Sequence, residues 1–363
     1  MVTTSSIRVL LIAPSLDILG GQAVQATRLI EGLSGDGITI DFQPINPPFP
    51  TGLKWVKNVR FLRTALTFAL YFTQIVARTW RYDILHVFSA GLYSFTLWTI
   101  PAVLIGRKIY GVKFILNYRD GQVEQHVRDW KTALPVIRAA DVVISPSEFV
   151  VGILKQYGVK ASAIFNVIDF TRFRYRQRSR LRPVFMTNRI LEPLYNVGCI
   201  LRAFAIVQQR YPEASLTIAH DGVSRPGLEA LAKELGLKNT KFVGRVPHTR
   251  VPELYDAADI YLTSPDFDCM PGSLLECYAS GLPVIATRTG GIPFILRDGE
   301  TGLLVECNDH RAMAERAIRL LEDPALVERL TKQAFEELKK YDFEGGGIRE
   351  KWLAVYRSLK PSD

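Results

Sequence analysis

Short apolar runs alternate with helix-length segments along the whole chain. In the first half the runs fall at 7–14, 38–45, 83–90, 113–120, 142–147 and 161–168. In the second half they fall at 184–189, 215–222, 241–246, 259–265, 283–289 and 302–306. Strands alternating with helices at this spacing predict parallel sheets covered on both faces. Two such sets predict an α/β chain of two doubly wound, Rossmann-like domains facing across a cleft. Ligands are expected at the carboxyl ends of the strands.

Three segments stand apart from this alternation. The join, "TRFRYRQRSRLRP" at 171–183, has Arg172, Arg174, Arg176, Arg178, Arg180 and Arg182 at every second position. Extended, it would put all six on one face, with Phe173 and Tyr175 opposite. That pattern reads as a solvated basic linker, or as a contact for anionic lipid or an acceptor phosphate. The segment 54–81 reads as a basic amphipathic helix that covers the sheet, with a membrane-surface role as its sharper reading. In the last helix, within 346–359, Ile348, Trp352, Val355, Tyr356 and Leu359 follow i, i+4, i+7, i+8, i+11. This apolar stripe is expected to cross back onto the first domain. The domains are therefore bounded at 1–170 with 346–363, and at 184–345.

With 363 residues, two domains fit the length, and 48% hydrophobic content allows a sizeable core. The net charge of +9 is uneven. Residues 1–180 carry 22 Lys/Arg against 11 Asp/Glu, so +11, and residues 181–363 carry 23 against 25, so −2. A basic first half points to an acidic partner. Cys199, Cys269, Cys277 and Cys307 form no CxxC and have no His at ligand spacing, which argues for a reducing compartment and no structural zinc. The N-terminus lacks a basic leader, and the uncharged stretch 87–106 reads as a strand end followed by a buried helix.

Three motifs carry candidate chemistry. Gly20 and Gly21 open a helix at the end of the first strand, where backbone can approach a ligand. There is no GxGxxG there, so a dinucleotide fingerprint is absent. "NRILEPLYN" places Arg189 at a strand end, where it can fork onto a phosphate. "DFDCMPGSLLE" at 266–276 sets Asp268 and Glu276 eight positions apart around Met270, Pro271 and Gly272. Ser273-x-x-Glu276 also fits a capping box, and Asp268 an Asx-turn. Beyond them, Gly290 and Gly291 precede another helix start, whose N–H groups could cradle a phosphate.

The stretch from "FVGRVPHTR" to "DGETGLLV", with "NVIDFTRF" and the N-terminal "GG", resembles the family 4 (group 1) glycosyltransferases of GT-B fold. The resemblance covers essentially the whole chain and is most specific in the second half. It implies transfer of a sugar from a nucleotide-diphosphate sugar to an acceptor hydroxyl, with retention and without a metal. Glu276 would bond the ribose hydroxyls, Asp268 would face the sugar, and Met270, Pro271 and Gly272 would present backbone to it. Gly21, Gly290 and Gly291 would lie near the donor, Arg189 on its pyrophosphate, and Gly20 on the acceptor side. "DFD" is better accounted for by this motif than by a metal-binding DxD. Three departures matter. Asp268 stands where relatives carry Glu, Leu194 where they carry Lys, and Arg119 of "NYRDG" where many carry His. Arg119 could stabilise the leaving phosphate, and Asp120 could touch the acceptor. The implied partners are a nucleotide sugar, a glycan or lipid-linked acceptor and an anionic membrane, with no nucleic acid. The implied location is cytoplasmic, on the inner membrane face. The alternatives are a non-catalytic nucleotide-sugar binder or assembly subunit, and a sugar-nucleotide epimerase using His126 or His220.

Overall fold

The computed structural model describes residues 6–16, 21–35, 37–178, 180–343, 345 and 347–360. It divides into two compact units, Met1–Val167 with Phe343–Asp363, and Ile168–Asp342. The basic segment 171–183 therefore lies within the second unit.

In the first unit, β1 (Ile7–Ala13), β2 (Ile38–Pro44), β3 (Ile84–Ser89), β4 (Lys113–Tyr118), β5 (Val142–Ser145) and β6 (Ala161–Ala163) form one sheet in the order β2-β1-β3-β4-β5-β6. Every pairing is parallel. β3 is buried at all positions, as a central strand covered on both faces must be. The C-terminal helix, Ile348–Ser358, packs into this unit. Ile348, Trp352, Leu353 and Tyr356 share one apolar cluster with Ile84, Phe88 and Ile115. Val355, expected on the stripe, is only partly buried, and Leu353 widens the buried face in its place.

In the second unit, β7 (Val184–Thr187), β8 (Ser215–Ala219), β9 (Thr240–Gly244), β10 (Ile260–Thr263), β11 (Val284–Thr287) and β12 (Leu303–Val305) are ordered β12-β11-β10-β7-β8-β9, again all parallel. The strand order reverses between β7 and β10. An open sheet of this kind offers a ligand crevice just beyond the carboxyl ends at that reversal. Each predicted run holds a strand that stops before the run's polar end. Arg119, Arg189 and Asp268 consequently lie in the loops beyond β4, β7 and β10.

Two sequence expectations need correction. The alternating arginines do not make a solvated linker. Arg178 is 3% exposed and donates to the carbonyls of Tyr255 (2.9 Å), Ala258 (3.1 Å) and Ser280. Arg176 (2.6 Å) and Arg182 (2.8 Å) close on the buried Asp259 carboxylate, with Arg178 Nε at 3.6 Å. Arg174, Arg180 and Arg182 are exposed, the last while still holding Asp259. A period-two pattern cannot reveal a carboxylate some eighty residues away.

Nor is 54–81 only sheet cover. The helix Arg60–Arg78 buries Tyr71 and Ile75 but leaves Phe61 87% exposed, with Trp55, Leu62, Phe72 and Trp80 also in water. The uncharged stretch after β3 becomes an irregular helix over 92–109 that includes two π-helical segments. Among the described residues no helix is long and apolar enough to cross a membrane.

Candidate active site

The loops after β7 and β10 meet at the reversal point of the second sheet. Arg189 Nη2 donates to Asp268 Oδ2 in a close ion pair, with the two side chains 13% and 14% exposed. Nη1 reaches Ser273 Oγ at 3.4 Å, and the guanidinium lies 4.4 Å over the Tyr195 ring. Burial works against the Arg189 charge, but Asp268, with Tyr261 and Tyr195, more than offsets it and holds the group above its ordinary range. Its Nε is buried without a hydrogen-bond partner. A guanidinium held charged, with a donor unspent, is what an incoming oxyanion would satisfy.

The Asp268 loop is braced by backbone. Asp268 Oδ1 accepts from the Met270 N–H (3.3 Å), and its carbonyl accepts from the Gly291 N–H (2.8 Å). Gly290 has φ +51, and a Cβ there would lie 2.2 Å from the Asp268 carbonyl oxygen. The Ile292 N–H is also spent, on Thr289 O at 3.0 Å. Gly291 thus braces the loop through its N–H, and Gly290 through an approach too close for any side chain.

The capping box does not form. The helix Gly272–Ala279 has Pro271 at its N-cap and no side-chain cap bond. Proline supplies no N–H for Glu276 to accept, and Ser273 sits two positions past the cap. Glu276 Oε2 instead accepts from Tyr255 Oη at 2.8 Å. Asn188 Nδ2 donates to Tyr255 Oη (2.9 Å), and Tyr261 Oη donates to Asn188 Oδ1 (2.7 Å). The two tyrosine rings stack at 6.0 Å. Burial, then the Glu276 charge, pushes the Tyr255 phenol well above its ordinary value, so it stays a donor. One Glu276 oxygen is fixed this way, and among the described residues no hydrogen bond takes the other. Sequence reading missed Tyr255, Tyr261 and Asn188. Their only signal was Asn188 beside Arg189 at a strand end.

The remaining candidates are in the first unit. Both Asp120 oxygens accept from backbone N–H groups, which fixes the carboxylate in place. Gly91 donates at 2.7 Å and Gln122 at 2.9 Å. A Cβ on Gly91 would lie 2.7 Å from Asp120 Oδ2, so the segments after β3 and β4 are in close contact here. Gly21 begins the helix Gly21–Leu33 with open space where a Cβ would go. Gly20 lies outside the described residues. Arg119 donates to Asn117 Oδ1 (3.3 Å) and to Asn166 Oδ1, and lies 4.6 Å over the Phe88 ring.

Residues 169–337 match the family described as glycosyl transferases group 1, and residues 19–172 match glycosyltransferase family 4. The chain belongs to the group 1, family 4 glycosyltransferases. It is 30% identical over 177 residues to the D-inositol 3-phosphate glycosyltransferase of Corynebacterium urealyticum, covering 47% of this chain and 41% of that one. It is 28% identical to the sulfoquinovosyl transferase of Arabidopsis thaliana, over 72% of this chain and 54% of that one. With the lipopolysaccharide core biosynthesis glycosyltransferase of Rhizobium meliloti, identity is 26%, over 66% and 71%. The match spans about half the length of the first two relatives. Among solved structures, sucrose-phosphate synthase from Thermosynechococcus elongatus superposes with a TM-score of 0.75 at 21% identity, over 97% of this chain and 99% of that one. HepE from Anabaena, in complex with UDP and glucose, gives 0.75 at 16%, over 97% and 100%. The topology of each unit is accordingly that of the GT-B fold.

Proposed function

We propose that this glycosyltransferase moves a sugar from a nucleotide-diphosphate donor to an acceptor hydroxyl, with retention and without a metal, in cell-surface glycan or glycolipid synthesis. The observation that carries this reading is the Arg189–Asp268 pair beside Glu276 at the β7/β10 reversal point. The donor's diphosphate would draw the Arg189 guanidinium, releasing Asp268 toward the sugar. The bond from the anomeric carbon to the diphosphate then breaks with its electron pair on the leaving oxygen, where Arg189 stabilises the charge. The acceptor oxygen forms the new bond and passes its proton to the leaving diphosphate oxygen. The open Glu276 oxygen would accept from the ribose hydroxyls. Leu194, 42% exposed, puts an apolar side chain where the resemblance implies a Lys, so that position adds no charge for the donor.

The test is nucleotide release from a panel of nucleotide sugars, with and without cell-envelope lipid extract. Release that needs one donor and the extract supports transfer. Donor binding without release across the panel would favour the non-catalytic binder.

The charge pattern supports a membrane-linked acceptor, used on the cytoplasmic face. Residues 42–119 contain 10 Lys/Arg and a single acid, Asp83, which is tied to Arg8. Exposed Phe61, Trp55 and Trp80 accompany exposed Arg63 and Arg81, with Arg81 lying 5.0 Å over the Trp80 ring. Basic and aromatic side chains together suit an anionic lipid surface. The protein is expected to co-sediment with phosphatidylglycerol-rich vesicles at low salt. Raising the salt several-fold, or Phe61→Asp with Trp80→Glu, should release most of it. Equal binding to zwitterionic vesicles would count against this contact.

A further inference from the structure

Two sunken arginines of the second unit come with carboxylates, and Arg119 of the first does not. Arg189 pairs with Asp268, and Arg178 packs beside Asp259. Arg119 is partly buried beyond β4, and among the described residues no carboxylate pairs with it. Its partners are two neutral amides and the face of Phe88. Burial lowers its pKa to about 10, with no acid near enough to reverse the effect. A cation drawn from water without a counter-charge is costly, and such groups are retained where a ligand supplies the charge.

The surroundings are built around this group. Arg119 opens into a shallow pocket lined by Gln25, Phe88, Asn117, Asn166, Val167 and Trp352, none of them acidic. Gln25 fixes one wall by a reciprocal pair, its Nε2 donating to Val167 O (2.8 Å) and its Oε1 accepting from Val167 N (2.7 Å). Asn166, which holds one arm of the guanidinium, is set by that wall. The other arm is held by Asn117, itself 1% exposed, whose Nδ2 lies 3.3 Å from His86 Nε2. His86 Nδ1 lies 2.8 Å from Tyr356 Oη on the C-terminal helix. Burial, then the Arg119 charge, pushes His86 down to about 3, so the ring is neutral and adds no competing cation. With Nε2 accepting from Asn117, Nδ1 carries the proton and donates to Tyr356.

We propose that Arg119 with Asn117 and Asn166 forms an oxyanion subsite of the first unit, for a phosphate-class group, and that Tyr356 positions it through His86. This rests on the transferase reading only for what the group belongs to: the acceptor's phosphate or the donor's diphosphate. Atoms of either would meet the same guanidinium fork.

The test uses the full chain at constant ionic strength and reads binding, so it stands whether or not transfer occurs. Glycerol phosphate and UDP are titrated separately against the natural protein, Arg119→Gln, Arg119→Lys and Tyr356→Phe. Arg119→Gln is expected to weaken one of the two ligands roughly 10-fold or more. Loss confined to glycerol phosphate assigns the subsite to the acceptor, and loss confined to UDP assigns it to the donor. Arg119→Lys should keep part of the affinity, and Tyr356→Phe should fall between. The thermal midpoint of ligand-free Arg119→Gln should be unchanged or higher, since an uncompensated charge is removed. Unaltered binding of both ligands, or a clear drop in that midpoint, overturns the proposal.

Discussion

Asp268→Asn is expected to lower kcat/KM for sugar transfer roughly 100-fold to 1000-fold, the scale on which removal of one preorganised charge partner acts. The replacement keeps the side chain's volume and the Met270 N–H contact. It removes the charge that holds Arg189, and it leaves a guanidinium of 13% exposure beside a neutral amide. Arg189→Ala is expected to cost a similar factor, by removing the cation that receives the diphosphate. The double substitution should cost little more than either alone, because the two side chains act as one unit. Asp268→Glu separates charge from reach. The extra methylene keeps the carboxylate but displaces it from both Arg189 and Met270, so an intermediate loss of about 10-fold is expected. Steady-state nucleotide release with acceptor present measures all four. Activity of Asp268→Asn within a few-fold of the natural protein would sink the assignment.

The same loop shows what the sequence can and cannot disclose. The strands were legible because a parallel strand buried on both faces has to be a continuous apolar run, and β10 and β11 are buried at every position. Arg189 and Asp268 were legible as polar residues that end such runs. Their pairing was not, because it depends on β7 and β10 being neighbours across some eighty residues of chain. The capping box failed for a local reason. Ser-x-x-Glu is a short pattern, and the helix begins at Pro271, so the Glu276 carboxylate was left for Tyr255, a partner with no motif of its own. Gly290 is a position that glycine alone fits, with φ +51. Its requirement is the close approach of the Asp268 carbonyl, which spacing alone does not separate from a phosphate cradle.

The basic join carries the second large effect. Arg178 donates to carbonyls at the carboxyl ends of two helices, Val251–Ala257 and Gly272–Ala279, where a cation is favoured by the helix dipoles. These two helices carry Tyr255 and Glu276. Asp259, 3% exposed in its side chain, gathers Arg176, Arg178 and Arg182 and accepts from the Arg182 N–H at 2.8 Å. Asp259→Ala would strand Arg178 in the interior, while Arg176 and Arg182, 40% and 60% exposed, can turn to water. Breaking a fully buried pair costs about 3–5 kcal/mol, and the exposed partners reduce that to about 2–4 kcal/mol. For a unit of this size the thermal midpoint should fall by roughly 5–12 °C. Burial by itself would raise the Asp259 pKa, but hydrogen bonds from Arg182 and Arg176 outweigh it and hold the group below its ordinary value. A depressed folded-state pKa gives stability that is full above the unfolded value, about 3.9, and is lost as pH falls through the folded one. The stability gap between the natural protein and Asp259→Asn should therefore be wide at neutral pH and close below about pH 4. Denaturant unfolding at a series of pH values reads it directly, and a gap that does not vary with pH would remove Asp259 as the anchor of the join.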